Sequence, residues 1–357
     1  MEHIAVVGSG VIGLSVACRL AECQSRDLHV TVISGQSPGA TTSAVAAAYW
    51  APYWIGAYNH AWASETLLEL QRMTESPDPS TGLSRCEFRE WMDDAGREEL
   101  MSVIDEVYWW RNLPGIHYEL GQLEKPVELD LPKLGTFSFT SEVRFNSVVA
   151  RMPDYLSFLL KRATDSGRVV IENGWIDRLE PLLDSFDKVV NCTGWGAKKL
   201  VASDPETAAM RLLAGHVVRV ETNSLPQGLL LHRGPFKQRP LYIIPRHGTV
   251  DDVICGGTAI EIHEELDPRE PFTFPVSETY DEIHELCAAF NEGVATGTRC
   301  ENLVGLRPVR SSLRLEKDPQ QDRMVHCYGH GGSGLTLSWG SANEVMNLLG
   351  FAEGEAF

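Results

Sequence analysis

The stretch Ile4-Ala5-Val6-Val7-Gly8-Ser9-Gly10-Val11-Ile12-Gly13-Leu14 decides the fold. Four consecutive apolar residues read as a strand buried on both faces, as in a parallel sheet. Glycines follow at positions 8, 10 and 13, and apolar residues then recur with helical spacing from Leu14 to Leu20. A second apolar strand, His29-Val30-Thr31-Val32-Ile33, comes next. Strand, glycine turn, helix and strand within about thirty residues read as a dinucleotide-binding βαβ unit. Gly8 permits the tight turn, Gly10 lets a pyrophosphate approach bare backbone, and Gly13 brings helix and sheet together. The N–H groups that open the helix, at Val11 and Ile12, then face the phosphates. One part of the pattern is missing. Where an acidic residue usually ends the second strand, the chain reads Ile33-Ser34-Gly35-Gln36. Ser34 or Gln36 can stand in as a weaker partner for a ribose hydroxyl. The gap counts against a nicotinamide dinucleotide more than against a flavin dinucleotide held by many other contacts.

Two later segments belong to the same layered core. Asp187-Lys188-Val189-Val190-Asn191-Cys192-Thr193-Gly194 is another buried strand that ends in a glycine turn. Met324 to Tyr328 leads into Gly329-His330-Gly331-Gly332-Ser333-Gly334 and an amphipathic helix from Leu335 to Leu349. Between them, residues 214–258 alternate as antiparallel strands, with Arg246-His247-Gly248-Thr249 as a hairpin turn. The expected fold is α/β. A discontinuous Rossmann-like nucleotide domain takes residues 1–58, 141–200 and 302–357. A second, largely antiparallel β domain takes 59–140 and 201–301. A chain of 357 residues has core enough for both.

Composition narrows the partners. Lys and Arg total 31 against 49 Asp and Glu, a net charge of −18 that repels nucleic acid and anionic membranes. The eight cysteines include no C-x-x-C pair and read as reduced, buried thiols of a cytoplasmic protein. The first residues lack the positive region of a signal peptide, and Ala44–Tyr58 is too short to span a bilayer. His326 and His330 would share a face on a helix and suggest a metal. His330, however, lies in a glycine-rich turn, so no metal is expected. Asp93-Asp94 and Glu98-Glu99 read as exposed acidic faces rather than catalytic carboxylates.

Six motifs stand in order along the chain: Gly8 to Ser15, Val45 to Tyr53, Val190 to Gly194, Tyr242-Ile243-Ile244-Pro245, Gly305 to Arg310, and Tyr328 to Thr336. With these motifs the chain resembles the D-amino-acid oxidases, flavoenzymes related to D-aspartate oxidase and more distantly to glycine oxidase. Residues 59 to 140 carry little of the resemblance. The resemblance implies noncovalent FAD and oxidation of a D-amino acid to a 2-oxo acid, ammonia and hydrogen peroxide. The α-hydrogen would pass as hydride from Cα to flavin N5, with O2 as second substrate and a homodimer as the assembly.

Site residues follow from the same resemblance. Arg307 would anchor the substrate carboxylate bidentately. Tyr242 would donate its hydroxyl to the same carboxylate, and the Gly332 carbonyl would receive the amine. Tyr49, Ala51, Leu229, Gln238 and Ile244 would line the side-chain pocket. Beside Gly8, Gly10, Val11, Ile12 and Gly13, the flavin would meet Ser34, Gln36, Thr41, Thr42, Ser43, Ala47, Ala48, Trp175, Thr193 and Gly194. Gly331, Gly332, Ser333, Gly334, Leu335 and Thr336 would bring N–H groups to the pyrimidine end of its ring.

The chain departs from the family at several positions. Gln238 stands where a second tyrosine is common, Ala51 where a glutamine is, Tyr49 where a leucine is, and Ser333 where the mammalian pattern has a tyrosine. D-aspartate oxidases place an arginine where this chain has Ala259, followed by Ile260. Lys237 and Arg239 read as exposed, and Arg246 as lying at a turn. Neutral side chains are therefore expected over D-aspartate. The alternatives are an oxidase for D-aspartate, glycine or a pathway-specific amine, a nicotinamide-dependent dehydrogenase, and a flavin-binding protein without catalysis. Arg307 and Tyr242 argue against the last, because a mere binder has no need of them.

Overall fold

The computed structural model describes residues 1–351 except 54, 57–58, 76–77, 132–133, 223–226, 238–239, 271 and 273–276. Ile4 to Val7 are almost wholly removed from solvent because β1 (Glu2–Val7) is paired on both edges. Its neighbours are β2 (Leu28–Ser34) and β7 (Lys188–Asn191), both parallel to it. β6 (Val169–Asn173) extends this parallel group beyond β2, and β14 (Gln321–His330) extends it beyond β7. The group thus draws on widely separated parts of the chain, as a discontinuous nucleotide fold requires.

The same sheet continues without a break. β14 pairs antiparallel with the long β13 (Thr298–Asp318), and β13 with β8 (Arg211–Glu221). From there the order runs through β11 (Asp252–Gly256), β10 (Leu241–Arg246) and β9 (Gly228–Leu231) to β3 (Leu83–Met92), β5 (Gly135–Ala150) and β4 (Tyr118–Leu131). All these pairings are antiparallel except β3 with β9, and the short β12 (Ile260–Ile262) pairs with β8. The expected hairpin joins β10 to β11. Arg246, however, is the buried last residue of β10 and takes part in a two-bond pair with Asp252 at 2.6 and 2.8 Å.

Two of the expected domain boundaries fall inside or beside continuous structure. Residue 141 lies within β5, and the helix His60–Met73 packs on the helix Gly334–Leu348 of the nucleotide half. The first helix, Val11–Glu22, is buried from Val11 to Ala21, as an all-round apolar helix should be. Helices 152–164 and 334–348 pack against it. On the antiparallel half, the helix Ser277–Phe290 covers the face carrying Leu229, Ile243, Val253 and Cys255. Six cysteines are buried, Cys86 is half-buried and Cys300 is exposed; all eight are free thiols. Among the described residues, no helix is long and apolar enough to cross a membrane.

Gly340 shows how tightly the helical layer is built. Its N–H donates to Thr66 Oγ1 at 3.0 Å, and an added Cβ would run into the backbone of Trp62. Gly340→Ala would gain about 1 kcal/mol of helix propensity. Overpacking against backbone that cannot swing aside costs about 1–3 kcal/mol. The clash wins, so a urea melt of Gly340→Ala should show a lower midpoint than the parent chain.

Candidate active site

A cavity of about 720 Å3 runs from the ends of β1 and β2 across β13 and β14 to β10. Its first end is the glycine turn. Gly8 adopts a φ of +112°, and a Cβ there would meet the Cys192 carbonyl. A Cβ on Gly13 would run into the Gly8 carbonyl oxygen. Helix and sheet therefore touch only because both residues lack side chains. The N-cap residue of the first helix, Gly10, offers no side-chain cap and the first turn holds no acid, and Gly10, Val11 and Ile12 at its positive end line the cavity. Ser43 Oγ accepts from Val11 N–H at 3.0 Å, which brings the 41–43 segment onto the helix start.

The sequence-predicted cofactor residues converge on this cavity. Gly8, Gly10, Val11 and Ile12 line it, with Gly13 packed beneath Gly8. Ser34, Gln36, Thr41, Thr42, Ser43, Ala47 and Ala48 form one wall. Trp175, Thr193, Gly194 and the run Gly331, Gly332, Ser333, Gly334, Leu335 and Thr336 complete it. Ala48 holds a positive φ of 54°, and its carbonyl accepts from Ala150 N–H at 2.8 Å. Asn191 Oδ1 accepts from the Thr193 hydroxyl at 2.7 Å, and the Asn191 amide contacts His326 Nδ1 at 3.1 Å. His326 Nε2 meets Asp318 at 2.9 Å, so this histidine braces the cradle. His330 lines the cavity beside Ser341 Oγ, and burial pushes its imidazole down to about 3, which keeps it neutral.

The other end holds Arg307 and Tyr242. Arg307 Nη1 donates to the Thr258 carbonyl at 2.7 Å. Its guanidinium lies directly over Gly215 of β8, where a Cβ would stand 2.5 Å from it. Gly332 is the next neighbour, its Cβ position 3.5 Å from Arg307 Cδ. Tyr242 lies over Gly256 and Gly257; a Cβ on Gly257 would be 2.6 Å from the phenol oxygen. Burial raises the Tyr242 pKa, and the nearby Arg307 partly opposes this. The phenol therefore stays protonated and able to donate. Gly215, Gly256 and Gly257 escaped the sequence reading as site residues. Glycine inside an alternating strand is the signal that marks such a close approach.

Tyr49 and Ala51 line this end as expected, and Tyr53, which the sequence reading passed over, lines it too. Tyr49 stacks on Phe88 at 4.8 Å, and the Tyr53 hydroxyl meets that of Tyr108 at 3.3 Å. Tyr108 in turn donates to Glu90, a fully buried carboxylate paired with Arg233 at 2.6 Å. Leu229 and Ile244 are not on the cavity wall. Leu229 pairs with Ile243 on the opposite face of the sheet, and Leu230 is the residue opposite Tyr242. Ile244 shares the face of Tyr242 but is buried in the core. Ala259 and Ile260 are exposed and do not line this cavity. Gln238 and Arg239 lie outside the described residues. Asp93 caps the helix Asp94–Val107 through Gly96 N–H at 2.7 Å, and Glu99 pairs with Lys237 at 2.7 Å.

The first end fits a dinucleotide: bare backbone at two glycines, a helix start with no acid in its first turn, and a serine and threonine wall. The chain matches the family model "FAD dependent oxidoreductase" over residues 3–348. It is 35% identical over 353 residues to a D-amino-acid oxidase of Rubrobacter xylanophilus, spanning 97% of this chain and 95% of that one. It is 30% identical over 362 residues to a D-aspartate oxidase of Homo sapiens, spanning 97% and 94%. The solved structure of glycine oxidase from Bacillus cereus shares the fold. Its TM-score is 0.73 at 18% identity, with 99% and 96% of the chains covered.

The contact between Gly215 and Arg307 makes a direct test. Gly215→Ala should displace the guanidinium and weaken binding of a monocarboxylate probe such as benzoate by about tenfold or more. Flavin should stay bound, because Gly215 is remote from the glycine turn. Titration of the flavin absorbance with benzoate reads both.

Proposed function

The chain belongs to the FAD-dependent oxidoreductase family, and within it we propose that it oxidatively deaminates D-amino acids with neutral side chains. The observation that carries this reading is the pairing of Arg307 and Tyr242 at one end of a dinucleotide cavity, each seated on glycine. FAD, when bound, supplies the two-electron chemistry by accepting the α-hydrogen as hydride and passing the electrons to O2. The Arg307 fork takes the α-carboxylate, and its fixed plane sets the direction of Cα–H. Tyr242 donates to the same carboxylate. The Gly332 carbonyl, beside Arg307, receives the amine and keeps its lone pair directed.

The preference for neutral substrates rests on charge. Near this end, cations other than Arg307 are already committed among the described residues. Arg233 is paired with Glu90, Arg246 with Asp252, and Arg310 with Asp204 and Glu206 at 3.0 and 3.2 Å. Lys237 is exposed and holds Glu99. A second substrate carboxylate would meet Tyr49, Ala51 and Tyr53 instead, at a cost of several kcal/mol if left unpaired. Free thiols and strong negative charge favour a cytoplasmic setting. Drawing domain limits at the ends of the helix His60–Met73 and of β5 would keep each intact.

A peroxide-coupled screen of both enantiomers of the common amino acids tests the reading. D-methionine and D-phenylalanine should show kcat/KM well above D-aspartate and above every L-enantiomer. Arg307→Ala should lower kcat/KM at least about a hundredfold while flavin remains bound, since losing one partner of a charge-assisted contact costs about 2–5 kcal/mol. Arg307→Lys should fail nearly as badly, because a point charge lacks the fork. Near-normal turnover in either variant removes Arg307 from the site, and a D-aspartate maximum overturns the neutral preference.

A further inference from the structure

β2 ends without the acidic residue that holds a dinucleotide's ribose. Ser34 is already engaged there, and the Gln36 amide nitrogen is turned to another segment. Ser34 Oγ donates to the Gln36 carbonyl at 2.8 Å and accepts from Ser9 Oγ at 2.9 Å. The Gln36 amide points to the Pro268 carbonyl at 3.4 Å. That last contact shows what does stand there. The segment Asp267-Pro268-Arg269, from the antiparallel half of the chain, crosses the mouth of the cavity and lines it beside Gln36.

The segment is tied down at both ends. Asp267 Oδ2 accepts from Lys199 Nζ at 2.9 Å, and Arg269 pairs with Asp177 on the far side of the mouth. Asp267 Oδ1 accepts from the backbone N–H of Arg269 at 3.0 Å, which fixes the turn. We propose that Asp267 binds the adenosine ribose of the flavin dinucleotide, taking the place of the acid that β2 lacks, with residues 267–269 as a strap across that end.

The chemistry suits the role. Each carboxylate oxygen already has one donor and keeps a lone pair for another, so two neighbouring hydroxyls can be held by one anchored group. The Arg269 N–H and the Lys199 ammonium hold the Asp267 carboxyl below the usual carboxylate range, leaving it ionised and acceptor-only at neutral pH. Asp177, the other carboxylate at the mouth, is 76% exposed and is tied to Arg269. The inference rests on the cofactor class and is independent of which amino acid is oxidised.

The test uses the full chain freed of its flavin, with FAD binding read by quenching of flavin fluorescence. ADP, 2′-deoxy-ADP and 3′-deoxy-ADP compete against FAD. The parent chain should prefer ADP over at least one deoxy analogue by about five- to twentyfold. In Asp267→Ala that preference should fall to near one, while affinity for the same deoxy analogue stays close to the parent value. Lys199→Ala should lose part of the preference, and Asp177→Asn should keep it. The near-isosteric Asp267→Asn, expected to retain at most a fraction, serves if the alanine variant does not fold. A parent chain indifferent to the ribose hydroxyls, a preference that survives at Asp267, or one lost at Asp177 instead, would each overturn the proposal.

Discussion

The contact between Gly13 and the Gly8 carbonyl is the constraint on which the rest of the site depends. It holds the start of the first helix against the end of β1 with no side chain between them. Because β1 is paired on both edges and buried on both faces, that helix start cannot drift. The residues that open it, Gly10, Val11 and Ile12, are thereby fixed on the cavity wall. The 41–43 segment is laid over the same point through Ser43, and the Thr193 hydroxyl is held by Asn191. A Cβ at either glycine would separate helix from sheet and misplace every later contact.

The opposite end of the cavity repeats the device with different partners. Arg307 and Tyr242 are bulky groups on neighbouring parts of one sheet, and such a surface has no natural hollow for them. Glycines at 215, 256 and 257 supply the room. The side chains lie flat on bare backbone, which limits their freedom and fixes their direction. A loosely held arginine would bind a carboxylate but would not aim Cα–H.

Behind the pocket, the buried carboxylates Asp252 and Glu90 are each held by cations. Asp252 is fully buried and faces Arg246, with Arg151 and Arg219 within 3.3 and 3.7 Å. Glu90 is fully buried and faces Arg233 and His232, with Tyr108 completing its shell. Separating such pairs leaves an uncompensated charge in a poorly solvating interior, so they persist through the reaction. Arg151, Arg219, Arg233 and Arg246 are each held by carboxylates of the protein itself.

The parallel strands, the glycine turn and the helix that follows were legible in residues 4–33, because their chemistry is local: apolar runs, backbone freedom and helix spacing act within a few residues. The place of Arg307 and of the run 331–336 on the cavity wall was legible from a motif resemblance spread along the whole chain. What the sequence by itself determined about this protein is therefore the dinucleotide unit and the chemical types gathered around it. Which face each strand presents was decided by tertiary structure, since a shift of one residue exchanges Leu229 for Leu230 opposite Tyr242. The glycine seats of Arg307 and Tyr242, the wall formed by Tyr53 and the arrival of Asp267 beside Gln36 were decided the same way. Each joins residues far apart in the chain, and only strand pairing and loop closure across the sheet bring them within reach.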